Sequence, residues 1–428
     1  MTAVFSKTMI TLRHSLTVLV VAWVAFSAHA ESESAAVDVL DTSAATSTSD
    51  ARAVNSSKLK LSTFGRIVAG RINDSDMEFF SYDDEWRANR QSLIGFRLDT
   101  EFTDKLTLVT QGVGYTSNSR EDGITQLYFN YSPVRSTNIR VGRTNTALFN
   151  LSESYDIGFT YPWITPPQQV YSEFLFINMD GILLNYGFGN VDIAGDIDVY
   201  WGQYGNEFVI AGASNFAESK HSQGIALNIY KDNWHYRASY HSSHFEIQIK
   251  QTGELREALV QVGFQDIANF ISDTGEIKIL QAGVHYDNVD YFFRSEWTKL
   301  KTDIYIMPEI ESAYATLGLN YYPYSIYATL AWSDLYYPPV SNGIPLGLNP
   351  QLDVLKFLVD DLSNVLADDS LVSLSLGARY DFSHNIAFKL ETTVLNGEDN
   401  QRGLFNVFSE NNPEREAMLF QVAIEWVF

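Results

Sequence analysis

Residues 370–397 read SLVSLSLGARYDFSHNIAFKLETTVLNG, and along this stretch side chains alternate in character. Val372, Leu374, Leu376, Ala378, Tyr380 and Phe382 share one face of an extended chain. Ser373, Ser375, Arg379 and Asp381 share the other. After Ser383-His384 the pattern restarts, with Ile386, Phe388 and Leu390 opposed to Lys389, Glu391 and Thr393. Successive side chains of a strand point to opposite faces, so a period of two marks a sheet with one apolar and one polar side. Two such runs joined by a polar pair read as a β-hairpin.

The pattern extends outward from this hairpin over the chain after Lys58. Ser92 to Phe102 sets Ile94, Phe96, Leu98 and Phe102 against Arg97, Asp99 and Glu101. Val191 to Trp201 sets Val191, Ile193, Ile197, Val199 and Trp201 against Asp192, Asp196 and Asp198. Sixteen segments follow: 58–72, 92–102, 106–116, 123–133, 138–147, 174–187, 190–201, 221–230, 234–244, 277–287, 290–300, 312–322, 325–333, 370–382, 385–397 and 417–428. The connections alternate short and long. The short ones are built from turn formers such as Thr103-Asp104-Lys105 and Lys231-Asp232-Asn233. The long ones are 73–91, 117–122, 148–173, 202–220, 245–276, 301–311, 334–369 and 398–416.

Segments of about ten residues suit a tilted membrane crossing, whereas ordinary strands are nearer five or six. Aromatic residues recur near segment ends, as at Tyr131, Tyr186, Trp234, Tyr291 and Trp426. The expected fold is all-β: a transmembrane antiparallel barrel of sixteen strands, with short periplasmic turns and long extracellular loops. The competing reading is a large extracellular sandwich whose polar faces meet bulk water.

Composition agrees with a membrane barrel and excludes other classes. Mean hydropathy is −0.12, as alternation requires, and after residue 30 there is no apolar run long enough for a spanning helix. Residues 1–30 read as a signal peptide: Lys7, Arg13 and His14, then the apolar run Leu16 to Phe26, then Ala28-His29-Ala30. No cysteine sits at the cleavage site, so lipidation there is excluded. Removing Lys7 and Arg13, with no acidic residue alongside, takes the net charge from −23 to −25. So acidic a chain is not expected to bind nucleic acid. Residues 31–57 are small, polar and free of aromatics, and read as a disordered periplasmic lead. Residues 58–428 would form the barrel.

The last segment, MLFQVAIEWVF, places Met418, Phe420, Val422, Ile424, Trp426 and Phe428 on one face and ends on an aromatic residue. With the strand arithmetic, this resembles the Gram-negative outer-membrane porin family. The short signature strings of enterobacterial general porins are absent. The resemblance implies a water-filled channel for passive diffusion of small hydrophilic solutes and ions. It further implies a homotrimer in contact with outer-membrane lipid and lipopolysaccharide, and Phe428 as an assembly signal for the barrel assembly machinery. It also implies that the third long connection, 148–173, folds inward. That connection offers Glu153, Asp156 and Glu173, the aromatics Tyr161 and Trp163, and the stiffening residues Pro162, Pro166 and Pro167.

Seven bases fall on the polar face: Arg66, Arg97, Arg140, Arg237, Arg294, Arg379 and Lys389. Opposite acids on the loop they would set a transverse field at a constriction. The alternative is that each base pairs with an acid nearby, as Arg97 with Asp99 or Arg294 with Glu296. Tyr128, Tyr200, Tyr314 and Tyr327 are inward candidates that would favour a selective channel for sugars or anions. A non-conducting barrel serving adhesion is the third reading. No enzyme is expected, for no phosphate loop, dinucleotide fingerprint or GxSxG elbow is present. No cofactor or metal is expected either: His241 and His244 would lie on opposite strand faces. Helix-like stripes occur at 252–271 and at 351–367, the latter through Leu352, Leu355, Val359, Leu362 and Leu366.

Overall fold

A computed structural model describes residues 58–117, 122–171, 178–210, 213–338, 342–399, 401, 404–405 and 415–428. The signal and lead, residues 1–57, lie outside these, as does Glu173. Sixteen strands form one closed antiparallel barrel in which each strand pairs with its sequence neighbours and the first with the last. They are β1 (Leu59–Ile72), β2 (Leu93–Thr103), β3 (Leu106–Tyr115), β4 (Gly123–Val134), β5 (Thr137–Asn145), β6 (Asn178–Gly189), β7 (Ala194–Ile210) and β8 (Ala213–Lys231), followed by β9 (Trp234–Gln248), β10 (Thr274–Asp287), β11 (Tyr291–Thr302), β12 (Glu309–Tyr321), β13 (Tyr324–Tyr336), β14 (Asp369–Ser383), β15 (Ile386–Gly397) and β16 (Arg415–Val427). Closure is a register of β1 on β16 running from Phe64 opposite Val427 to Ile72 opposite Leu419.

Each expected segment holds a strand among the described residues, 174–177 of the sixth lying outside them, and the connections alternate in length as the sequence predicts. One connection differs. The stretch 202–220 is not an irregular loop: β7 and β8 continue through it as a hairpin paired up to Ile210 and Ala213, with register shifts after Gly202 and Lys220. Alternation weakens across Gly202 and His221, so the strand signal there is lost in the sequence.

The outer face is apolar. Ile94, Phe96, Leu98, Leu317, Leu319, Leu374, Leu376 and Ile424 are exposed around the wall. An aromatic belt rings the short-turn end, including Tyr131, Tyr186, Trp234, Tyr236, Tyr291, Tyr321 and Tyr324. Among the described residues no helix is long and apolar enough to cross a membrane, so any crossing there is made by strands, with backbone groups satisfied by closure.

Glycines let aromatic rings lie flat against the wall. Tyr327 stands directly opposite Gly377 and Tyr200 opposite Gly224. A Cβ at either glycine would overlap the facing ring.

The inner face is not lined by open water throughout. From mid-wall to the long-loop end, most inward side chains are buried, among them Gln111, Tyr128, Gln281, Thr316, Thr329 and Gln421. Six long connections converge there into one apolar core: Phe79, Phe80 and Tyr82 from the first, Leu148, Tyr161, Trp163 and Tyr171 from the third, and Leu255, Leu259 and Ile267 from the β9–β10 connection belong to it. So do Ile304 to Met307, Leu355, Val359, Leu362 and Leu366, and Leu404 with Phe405. Helices α1 (Gln168–Tyr171), α2 (Lys250–Gln261), α3 (Gln265–Phe270) and α4 (Pro350–Val365) belong to these connections. The stripe expected over 351–367 is the buried face of α4.

Candidate functional site: a segment latched across the lumen

Residues 146–171, which follow β5, enter the barrel, and the wall holds them from many sides. At their start, Arg237 Nη2 donates to the Ala147 carbonyl at 2.6 Å and Ser239 Oγ to the Leu148 carbonyl at 2.5 Å. Arg140 grips Glu153 with two guanidinium nitrogens. Burial alone would push the Glu153 carboxyl up, but the adjacent Arg140 charge and its hydrogen bonds outweigh that and hold it below its ordinary value. Tyr115 Oη donates to Asp156 at 2.7 Å.

The middle of the segment is a tight turn, Gly158–Thr160, with Tyr161 to Trp163 beyond it. Lys389 Nζ donates to three carbonyls of this stretch, those of Gly158, Tyr161 and Trp163, at 2.7, 2.8 and 2.6 Å. Its charge is met by Glu425, 2.6 Å away, and both side chains are fully buried. Arg379 Nη1 reaches the carbonyls of Phe159 and Tyr161. Arg66 Nη1 donates to Tyr161 Oη at 2.8 Å, and that hydroxyl donates its own proton to the Tyr155 carbonyl. Gly158 packs so closely on Glu425 that a Cβ would overlap the carboxylate.

The last leg crosses to the remaining wall. Trp163 Nε1 donates to Thr329 at 2.9 Å and Gln169 to Ser373 at 2.6 Å. Tyr171 and Tyr314 both donate to Glu296 Oε1, at 2.5 and 2.6 Å, while Gln281 donates to the other oxygen.

All seven bases singled out in the sequence point inward, and the structure separates their partners. Arg97 pairs with Asp99 at 3.0 Å and Arg379 with Asp381 at 2.8 Å. Arg294 pairs with Asp287 at 3.2 Å rather than with Glu296, which the tyrosines occupy. Arg140 and Lys389 pair as described, whereas Arg66 and Arg237 donate to neutral oxygens. This is the local-pairing arrangement more than an uncompensated basic wall facing loop acids. Glu425 and Glu391 were not among the sequence candidates. Their signal was present, since both lie on the polar face opposite Phe388, Ile424 and Trp426. Phe428, by contrast, is exposed, and its backbone exchanges two 2.7 Å hydrogen bonds with Thr63 to finish the closure.

Among solved structures the chain is similar to OmpT, an outer membrane protein of Vibrio cholerae folded in vitro, at 9% identity and a TM-score of 0.50, covering 88% of this chain and 100% of that one. It is also similar to an anion-selective porin from Comamonas acidovorans, at 12% identity and a TM-score of 0.50, covering 86% and 100%. The chain has an outer-membrane porin fold. No protein-family model and no curated protein matches the sequence.

Proposed function

We propose that the protein is an outer-membrane channel for small hydrophilic solutes, constricted by the inward segment 148–171. The observation that carries this reading is the latch itself. Three backbone carbonyls, a buried ion pair and several charged side chains fix this segment across a barrel wide enough to hold water. Fixed hydrogen-bonding groups at a narrowing are what a pore needs to discriminate among solutes. The apolar belt supports placement in a bilayer. Glu153, Asp156, Tyr161 and Trp163 are assigned to the constriction and the seven bases to the wall that holds it. The homotrimer, and Phe428 as assembly signal, belong to the same proposal and follow from the porin resemblance.

The test is conductance in planar bilayers under a salt gradient. Small ohmic steps are expected from the intact protein, and steps several-fold larger after excision of 148–171. The dense apolar core at the mouth favours one rival, a non-conducting barrel used for surface attachment. A folded, heat-modifiable protein that shows no steps, with or without the segment, would overturn the channel reading and move that rival to the front.

A further inference from the structure

The stripe of α4 that enters the core, Leu355, Val359 and Leu362, leaves the opposite side of the helix to water. Helical periodicity sets Asp353, Phe357, Asp360 and Asp361 together on that side. Phe357 is 49% exposed, and the stretch before the helix adds Leu346 and Leu348, 65% and 76% exposed. These leucines are held in place. Asn342 Nδ2 donates to the Lys356 carbonyl at 3.1 Å and to Asp360 at 2.8 Å, and the Gly347 amide donates to Asp353 at 2.7 Å. The stretch therefore runs back along α4 from Asp360 to Asp353. Gly347, between the two leucines, is pinned to the helix in a left-handed conformation, φ 78°. Single exposed apolar residues are ordinary, but an apolar group rimmed by polar residues marks an interaction surface.

The rim defines the partner. The connection 337–368 holds four acids, Asp353, Asp360, Asp361 and Asp368, against one base, Lys356. Lys356 is engaged with Asp360 at 3.2 Å, and Asp361 meets no base among the described residues. We infer that this side of α4, with the stretch 342–348, docks a cationic amphipathic peptide that reaches the protein from outside the cell. Its apolar side chains would cover Leu346, Leu348 and Phe357, and its bases would meet Asp353 and Asp361. The same carboxylates would repel a phosphate-bearing lipid headgroup or a nucleic acid. An amphipathic helix repeats its apolar positions at the spacing that a helical face presents. The long connections of an outer-membrane barrel lie on the outer side, so a soluble peptide can approach. Side chains already fixed in place lower the ordering cost of binding. Docking there requires the orientation of the barrel but no open channel.

The full-length protein in nanodiscs of zwitterionic lipid, titrated with a labelled Leu/Lys amphipathic helix, should bind it above the level of empty nanodiscs. It should not bind a Leu/Glu helix of the same pattern. Phe357→Ser, and Leu346→Ser combined with Leu348→Ser, should each weaken binding by about tenfold. Asp361→Asn should weaken it by about threefold and flatten its salt dependence. Trp86→Ser should leave the affinity unchanged, since Trp86 is exposed beside Asp83, Asp84 and Glu85 but in another connection. Equal weakening by Trp86→Ser would reveal a general attraction of acidic connections for cations and would overturn the inference. Binding left intact by the Phe357 and leucine changes, in variants that remain heat-modifiable, would overturn it too. Self-association of the wild type in sedimentation that Phe357→Ser abolishes, with no peptide bound, would give this face to a second copy of the chain instead.

Discussion

Lys389 shows how much one inward residue of a barrel strand can organise. Its ammonium directs its protons to three carbonyls, so it constrains the path of the backbone between Gly158 and Trp163 whatever residues stand there. Burying the charge is tolerable because Glu425 is alongside. Removing one partner of such a pair leaves the other uncompensated, at about 3–5 kcal/mol, whereas replacing both by apolar groups of similar size costs far less. Lys389→Met should therefore destabilise the barrel by about that amount in urea unfolding and release the segment to protease. Lys389→Met with Glu425→Met should recover most of the stability but not the protease resistance, since the three carbonyls remain without donors. A double variant as unstable as the single one would mean that the loss comes from the unheld carbonyls and not from the unpaired carboxylate. The inward placement of Lys389 was legible from period-two alternation. Its partners were not, because the segment it holds lies more than two hundred residues away in the chain.

At the scale of elements, two connections carry separable predictions. The contact of Glu153 with Arg140 depends on pH in a defined direction. The carboxyl is held below its ordinary value in the folded protein, so the stability it contributes is present above the unfolded value of about 4.3 and is lost as pH falls through the lower folded value. Conductance should be insensitive to this contact from neutrality down to about pH 4 and should change below it. Glu153→Gln should bring the acid-state conductance to neutral pH. A transition centred well above pH 4 would assign the response to another group. Helix α4 begins with Asn349, whose side chain accepts from the Gln351 amide at 2.9 Å, followed by Pro350 in the first turn. Asn349→Ala removes that cap at about 1 kcal/mol. Amide exchange in the first turn of α4 should then quicken by roughly fivefold, while exchange in the wall strands stays unchanged. Both helical stripes were readable from their 3.6 period. That the stripe of α4 faces the same core as residues 148–171 was not readable, since amphipathicity shows that a face is buried but not against what.

For the whole molecule, closure is the decisive event. The last residue completes it through two backbone hydrogen bonds with Thr63, and β16 meets β1 across the full length of the chain. Deleting Phe428 should slow or lower the yield of folding from urea into lipid vesicles, read as the heat-modifiable gel shift. The channels that do form should keep wild-type conductance, because Phe428 is exposed on the outer side and away from the lumen. Altered conductance would mean that the chain end reaches the pore.

Local patterning along the chain is enough to specify the strands, their number and their inward and outward faces. A strand with lipid on one side and the lumen on the other must repeat every two residues, and a slip of one exchanges the faces. Turn formers place the short connections for the same local reason. The state of the lumen is settled only in three dimensions. From the sequence the inward bases could equally face loop acids or pair with acids nearby. The structure pairs most of them locally and fills the mouth with side chains from six connections. Which acid a base meets, and which loop packs on which helix, depends on groups brought together from distant parts of the chain. Those meetings follow from closing the barrel, and no periodicity along the chain encodes them.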